Sequence, residues 1–268
     1  MKIFRKIFDF YLDGSIHVAL SCFCLVKVSQ LHFNISKDFI TTYFAFFGTI
    51  VGYNFVKYVA LLEKKEAKIR PKLKAITAFS IFSFLLVGFY FFQLQRITQI
   101  SSIVVLVLTL LYALPFFPSK KNTRNWAGVK IYFVALCWVG VTVVLPVLNA
   151  EIDFSVDFYL QCLQRFIIIF VLILIFEIID LAKDDPHLQT VPQQIGVKKT
   201  RTLGYVLLTV FGLLELFNSN NNNQFLSLLL TFAIAVALAF ANEKRSKYYT
   251  SFWVESIPVV WWLLLEVL

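Results

Sequence analysis

Long apolar segments that recur along the whole chain constrain its fold more than any other feature of the sequence. About nine can be delimited, and most are long enough to cross roughly 30 Å of hydrocarbon as an α-helix. They cover residues 14–33, 38–60, 75–94, 100–117, 129–148, 158–180, 202–217, 224–241 and 250–267. Only 15% of the 268 residues are charged, which excludes an ordinary soluble domain. The sequence predicts an all-α polytopic membrane protein with about nine transmembrane helices and a single domain over residues 1–268.

The basic residues are distributed unevenly between the connections of these segments. Most of the 25 Lys and Arg residues lie in the N-terminal tail or in the even-numbered connections. The odd-numbered connections hold only Lys37 and Arg96. Positive residues concentrate on the cytoplasmic side of membrane proteins. We therefore predict an integral membrane protein whose N-terminus and even-numbered loops are cytoplasmic. Its surroundings are the lipid bilayer, and the +9 net charge does not indicate nucleic-acid binding, which needs a continuous basic surface.

An acidic cluster, "EIIDLAKDD" at residues 177–185, directly follows the sixth apolar segment. On a continuous helix, Glu177, Asp180 and Asp184 fall within a roughly 60° arc of one face. Carboxylates at the end of a transmembrane helix must be solvated, paired or bound to a cation. They also lie at a helix C-terminus, where the macrodipole disfavours negative charge. The sequence predicts that these acids need a positive partner.

The residues after this cluster suggest what that partner is. Pro186 and Pro192 are expected to end the helix, and the basic sequence "KKTR" follows at 198–201. Acids followed by bases suit a metal ion together with a polyanion, because Mg²⁺ takes one or two carboxylates and completes its shell with phosphate oxygens and water. The spacing allows a second interpretation equally well, in which the acids end a solvated helix and pair with Lys183 and Lys198.

Three motifs together resemble the UbiA-type intramembrane prenyltransferases. The pattern ExxDxxxD at 177–184, followed by "TVPQQIG" at 190–196 and "KKTR", is similar to the second aspartate-rich motif of that family. "YALPFFPSK" at 112–120 is similar to its Tyr-x-x-Pro…Lys segment. The resemblance implies a bundle of about nine helices around a central cavity.

The resemblance also implies a function. Such enzymes move a prenyl group from a prenyl diphosphate to a small lipophilic or aromatic acceptor, with Mg²⁺ held between two aspartate motifs on helices 2 and 6. It implies metal ligands at Glu177, Asp180 and Asp184, catalytic roles for Asp180 and Tyr112, and diphosphate contacts from Asn54, Lys57, Lys120, Lys121, Lys198 and Arg201.

The first aspartate motif of the family is degenerate here. In "YNFVKYVALLE" at 53–63, Asn54 matches the family's asparagine, but Phe55, Tyr58 and Leu62 occupy the acidic positions. One hypothesis is that the ammonium group of Lys57 replaces one Mg²⁺ and contacts the diphosphate directly. The alternatives are that Lys57 extends to the membrane interface and that Asn54 forms an interhelical hydrogen bond.

Two other functions fit the sequence less well. A catalytically weakened or inactive relative that still binds prenyl diphosphate or lipid would explain the missing acids, and a transporter is the third possibility. Two charges deep within the apolar segments, Lys27 and Arg165, are functional candidates because a buried charge is costly in a membrane. We expect Arg165 to extend outward toward Asp157 or Glu151.

Overall fold

The computed structural model describes residues 2–36, 38–62, 71–113, 128–184, 188–217 and 224–268. Within these ranges the chain forms helices joined by turns, as expected for an all-α fold. The α-helices are α1 (Lys2–Asp13), α2 (Ile16–His32), α3 (Phe39–Leu62), α4 (Pro71–Phe91), α5 (Arg96–Ala113), α6 (Val129–Val139), α7 (Leu145–Asn149), α8 (Val156–Asp180), α9 (Val191–Glu215), α10 (Gln224–Phe240) and α11 (Ile257–Val267).

Several of these helices can cross a membrane. Among the described residues, five spans are long and apolar enough: 39–58, 73–91, 129–149, 156–180 and 249–267. The pair α1 and α2, bent by 54°, makes a sixth if it is counted as one span. Two further apolar helices, within α5 and α10, are shorter. The chain is an integral membrane protein, and the predicted all-α membrane fold is confirmed. The count of nine spans, the single-domain assignment and the orientation of the termini stay predictions.

Helix α8 lies at the centre of the bundle. Its sequence "FIIIFVLILIF" is apolar on every side, which is typical of a helix surrounded by other helices. Its buried side chains pack against those of α9, α10 and α11 in the largest hydrophobic cluster. This packing fixes the end of α8, and therefore the acidic cluster, relative to the rest of the bundle.

Two π-helical turns interrupt the apolar segments, at Gly140–Val144 and Tyr249–Val254. A proline follows each of them closely, Pro146 in the first case and Pro258 in the second. Because proline has no N–H, it cannot donate to the carbonyl four residues earlier, and the hydrogen-bond ladder changes register there. The predicted span 129–148 is therefore α6, a π-turn and α7 in succession.

The direction of the helices decides which ends meet. The second turn of α8 lies beside the last residue of α2, where Gln161 Nε2 and His32 Nδ1 are 3.2 Å apart. The start of α2 is therefore at the end of the bundle where α8 finishes. Asn54 in the C-terminal half of α3 contacts the carbonyl of Gly14, just before α2. The two sequence regions predicted to form one site thus lie at the same end, here called the acidic end.

Candidate functional site

Helix α8 ends at the last residue of the predicted sixth span, and not at the prolines that follow. It ends at Asp180, before Pro186, and Pro192 lies instead in the first turn of α9. The expectation that the two prolines terminate this helix is wrong. The backbone N–H of Asp184 still donates to the carbonyl of Asp180 at 2.9 Å. The turn after α8 therefore keeps Asp184 close to the end of the helix.

Glu177 is the buried member of the cluster, with 6% of its surface exposed. Its Oε2 accepts a hydrogen bond of 3.0 Å from the backbone N–H of Val191, the first residue of α9. A carboxylate at a helix N-terminus is favourable because unpaired N–H groups and the positive end of the macrodipole meet there. Lys130 of α6 and Asp184 also face Glu177. Glu177 thus joins the end of α8 to the start of α9.

Asp180 is more accessible. Its side chain is 44% exposed and pairs with Lys183 at 3.1 Å, so the predicted alternative of a pairing with Lys183 is present. An exposed pair three residues apart contributes little stability. Another cation can therefore replace Lys183 as the partner of Asp180 with little loss of stability.

The start of α9 has the local structure that "TVPQQIG" requires. Thr190 N–H donates to Gln193 Oε1 at 2.9 Å and closes the first turn. Gly196 then has φ 79° and ψ 155°, a conformation that interrupts the helix and favours glycine. Helix α9 consequently begins at Val191 with a separate first turn, well before residue 202, where the sequence placed the start of the seventh span.

The two α9 residues that were predicted to contact diphosphate differ in exposure. Lys198 is exposed. Arg201 is partly buried, and its Nη2 donates to the carbonyl of Ala241 at the end of α10. Arg201 therefore connects two helices, and Lys198 is the more accessible of the two for an anion.

The side chain of Asn54 is fully used by the protein. It is 3% exposed, and its Oδ1 accepts from Ser15 Oγ at 2.8 Å. Its Nδ2 donates to Gly14 O at 3.2 Å and to Ser80 Oγ at 2.9 Å. These bonds tie α3 to the turn between α1 and α2 and to α4, as the alternative of an interhelical hydrogen bond predicted. A role in orienting diphosphate stays a prediction.

Lys57 lies in a polar cluster that the sequence did not reveal. Its Nζ is 3.2 Å from the carbonyl of Asp13 and 3.8 Å from its Oδ1, and Tyr58 OH donates to the same carbonyl at 2.9 Å. Lys247 lies 3.4 Å from Asp9 and 3.8 Å from Asp13. The acids beside α3 thus come from α1. Their spacing of four residues on the polar face of α1 was the available signal.

The remaining predicted residues and the metal site can be placed only in part. Lys120 and Lys121 lie outside the described residues, and so does the side chain of Tyr112. In the part of the chain that is described, no group of three His, Cys, Asp or Glu side chains is close enough to hold a metal ion. Glu177, Asp180 and Asp184 are therefore neighbours without forming a preassembled triad.

Comparison with known proteins identifies the fold. No protein-family model matches the chain, and no curated protein matches its sequence. Among solved structures, a UbiA homologue from Aeropyrum pernix K1 is similar with a TM-score of 0.66 and 13% identity, covering 94% of this chain and 99% of that one.

Two other solved structures give the same result. A UbiA homologue from Archaeoglobus fulgidus bound to DMAPP and Mg²⁺ has a TM-score of 0.65 and 12% identity, covering 96% of this chain and 99% of that one. A digeranylgeranylglyceryl phosphate synthase has a TM-score of 0.60 and 12% identity, covering 97% and 98%. The chain has the UbiA fold over nearly its whole length, which confirms the predicted likeness in fold.

Proposed function

We propose that this protein is a membrane prenyltransferase that moves a prenyl group from a prenyl diphosphate to a small lipophilic or aromatic acceptor. The observation that carries the proposal is the UbiA fold over nearly the whole chain, together with accessible carboxylates at the end of its central helix. One protein of the same fold is bound to DMAPP and Mg²⁺. Fold alone does not determine chemistry, so the residues at the acidic end have to support it.

The donors at the acidic end fit a magnesium ion by their chemistry. Asp180 and Asp184 offer carboxylate oxygens from one turn of the chain, joined by the backbone bond of 2.9 Å. Magnesium binds through one or two carboxylates when phosphate oxygens supply its other ligands. A preassembled triad is therefore not required. When bound, the ion would supply neutralisation of the charge that develops on the departing diphosphate.

The chain's own residues would bind the diphosphate and position the groups that contact it. Lys198 is exposed two residues after the break at Gly196 and can contact diphosphate oxygens. The sequence assigns the same role to Lys120 and Lys121. Glu177 holds the first turn of α9 against α8 and so positions Asp180 and Lys198 relative to each other. In the transfer, the allylic C–O bond breaks, the acceptor forms the new bond to that carbon, and the acceptor loses a proton.

A second candidate function is supported by the region around α3. None of the acidic positions of the first motif carries an acid, the amide of Asn54 is bonded within the protein, and Lys57 pairs with Asp13. A protein that binds prenyl diphosphate through the α8–α9 region without transferring the prenyl group would have this arrangement.

The test uses the purified full-length protein with a radiolabelled prenyl diphosphate, with and without Mg²⁺, across several acceptors. We expect Mg²⁺-dependent binding and release of diphosphate when a suitable acceptor is present. Asp180→Ala should weaken the Mg²⁺-dependent binding by about a hundredfold, since an essential ligand contributes at least as much as its supporting groups. Glu243→Ala, which removes an exposed acid, is the matched control.

The outcomes separate the two candidates. Product formation that Asp180→Ala abolishes and Glu243→Ala preserves supports the transferase. Binding without turnover for every acceptor tested supports the binding protein. If Mg²⁺ does not change the affinity, or if Asp180→Ala binds as tightly as the wild type, both are wrong.

A further inference from the structure

A narrow polar cleft lies at the end of the bundle opposite the acidic end. It offers about 30 Å³ of space to water-sized groups, enough for roughly two of them. Side chains from α2, α8, α9, α10 and α11 line it. The polar side chains in this lining include His32, Gln161, Gln164, Arg165, Glu215 and Ser227. The cleft is remote from the residues of the proposed transferase site, so the proposed function leaves it without a role.

Arg165 is the central charge of this cleft. It is 1% exposed, so the expectation that it extends outward to Asp157 or Glu151 is wrong. Its Nη1 donates to Leu25 O at 3.0 Å and its Nη2 donates to Ser29 Oγ at 3.2 Å. A guanidinium has five N–H donors and stays protonated. Two of these five donors thus have acceptors on α2.

The carboxylate that lines the cleft accepts hydrogen bonds from two other side chains. Glu215 Oε2 accepts from Gln164 Nε2 at 2.7 Å, and its Oε1 accepts from Ser227 Oγ at 2.9 Å. Among the described residues, Arg165 has no carboxylate as a direct partner. Its charge is thus buried without the ion pair that such a burial normally requires.

Trp261 supplies a further donor to the cleft. The ring of Trp261 lines the cleft and lies 5.7 Å below the guanidinium of Arg165. Its indole N–H is buried and has no hydrogen-bond partner among the described residues. Buried donors are nearly always satisfied by protein, water or a ligand. This donor beside one unpaired positive charge favours an acceptor that carries negative charge.

We propose that this cleft binds a small monovalent anion of the carboxylate class, with Arg165 as its charge partner. The planar fork of a guanidinium matches the two oxygens of a carboxylate. The space suits a group of a few atoms, which excludes a diphosphate. Apolar side chains of Val28, Leu31 and Phe211 border the cleft, so the carboxylate can come from solution or from the head of an apolar amphiphile.

The experiment measures thermal unfolding of the detergent-solubilised full chain while formate is titrated against gluconate at equal ionic strength. We expect formate to raise the unfolding temperature saturably and the bulky gluconate to leave it unchanged. A parallel titration with decanoate distinguishes the sources. Tighter binding of decanoate than of formate indicates the carboxylate head of an amphiphile, and equal or weaker binding indicates a free anion.

Variants assign the effect to the cleft. Arg165→Gln should weaken formate binding by about tenfold or more, since a charge-assisted bond is lost. Arg96→Gln, which removes an exposed arginine of another helix, should bind formate like the wild type. If Arg165→Gln does not fold, Arg165→Lys keeps the charge, loses the fork and should bind about threefold more weakly. The proposal is overturned if the wild type shows no saturable shift, or if a folded Arg165 variant keeps the full shift.

Discussion

The two halves of the acidic end differ in how their polar groups are used. In the α8–α9 half, Asp180 is 44% exposed and has an exchangeable partner in Lys183. In the α3 half, Asn54 is buried and bonded to three other groups. Both halves were predicted from sequence to bind the same ligand. They differ in how far the protein itself already uses their polar side chains.

This difference separates groups that can receive a ligand from groups that hold helices together. A buried amide whose donors and acceptor are all satisfied would lose those bonds before it could bind anything else. An exposed ion pair is worth roughly 0–1 kcal/mol and yields readily to a stronger partner. We therefore propose that the α8–α9 half binds the ligand and that the α3 half joins helices, and the predictions on Asn54, Glu177, Lys57 and Lys198 test that division.

The largest effect on stability is expected for Asn54→Ala. The change removes one hydrogen bond each from Ser15, Ser80 and the carbonyl of Gly14. We expect a loss of about 3 kcal/mol in the free energy of unfolding. Thr49→Ala is the control on the same helix, because the hydroxyl of Thr49 donates to Ala45 O, one turn earlier in that helix. Denaturant titration of both variants in detergent measures the difference.

A loss of ligand binding without a loss of stability in Asn54→Ala would contradict this assignment of roles to the two halves. If Asn54→Ala unfolds like the wild type but no longer binds prenyl diphosphate, Asn54 is a ligand-binding residue and the α3 half belongs to the site.

Glu177 should show a smaller effect that separates its two possible roles. Glu177→Ala removes the acceptor of the Val191 N–H and should cost about 2 kcal/mol of stability. Glu177→Gln keeps an acceptor oxygen and removes the charge, so it should recover most of the stability. Mg²⁺-dependent binding of prenyl diphosphate, measured on both, then reports the charge alone. Equal binding by Glu177→Gln and the wild type would remove Glu177 from the metal ligands.

The sequence predicted the fold better than the site, for a physical reason. Apolar segments such as "FIIIFVLILIF" specify burial by composition, and composition can be read without knowing neighbours. Whether the side chain of Asn54 is available to a ligand depends on its hydrogen bonds to Gly14, Ser15 and Ser80, which are remote in sequence. The acids Asp9 and Asp13 beside Lys57 were equally hidden, because they belong to a tail that the hydropathy pattern did not connect to α3.

Gly196→Ala tests the break that separates the first turn of α9 from the rest of the helix. A Cβ at this position meets no atom within 4 Å, so the cost comes from the backbone conformation alone, φ 79° and ψ 155°, and should be about 1–3 kcal/mol. Gly212→Ala is the control, since it lies in the same helix with open space around it and should stabilise by about 0.5–1 kcal/mol. Thermal unfolding of the two variants should therefore shift in opposite directions. A stabilised Gly196→Ala would show that this break is not needed.

The smallest effect compares one lysine from each half. Lys198 is exposed at the start of α9, whereas Lys57 is held by Asp13. Lys198→Ala should weaken prenyl diphosphate binding by about fivefold, since one charge-assisted contact with phosphate is lost. Lys57→Ala should change it by about twofold or less, because Lys57 contacts both the carbonyl and the carboxylate of Asp13. Binding isotherms at one ionic strength decide between them. A larger loss for Lys57→Ala would mean that Lys57 leaves Asp13 to contact the diphosphate, and it would support the hypothesis that its ammonium group replaces one Mg²⁺.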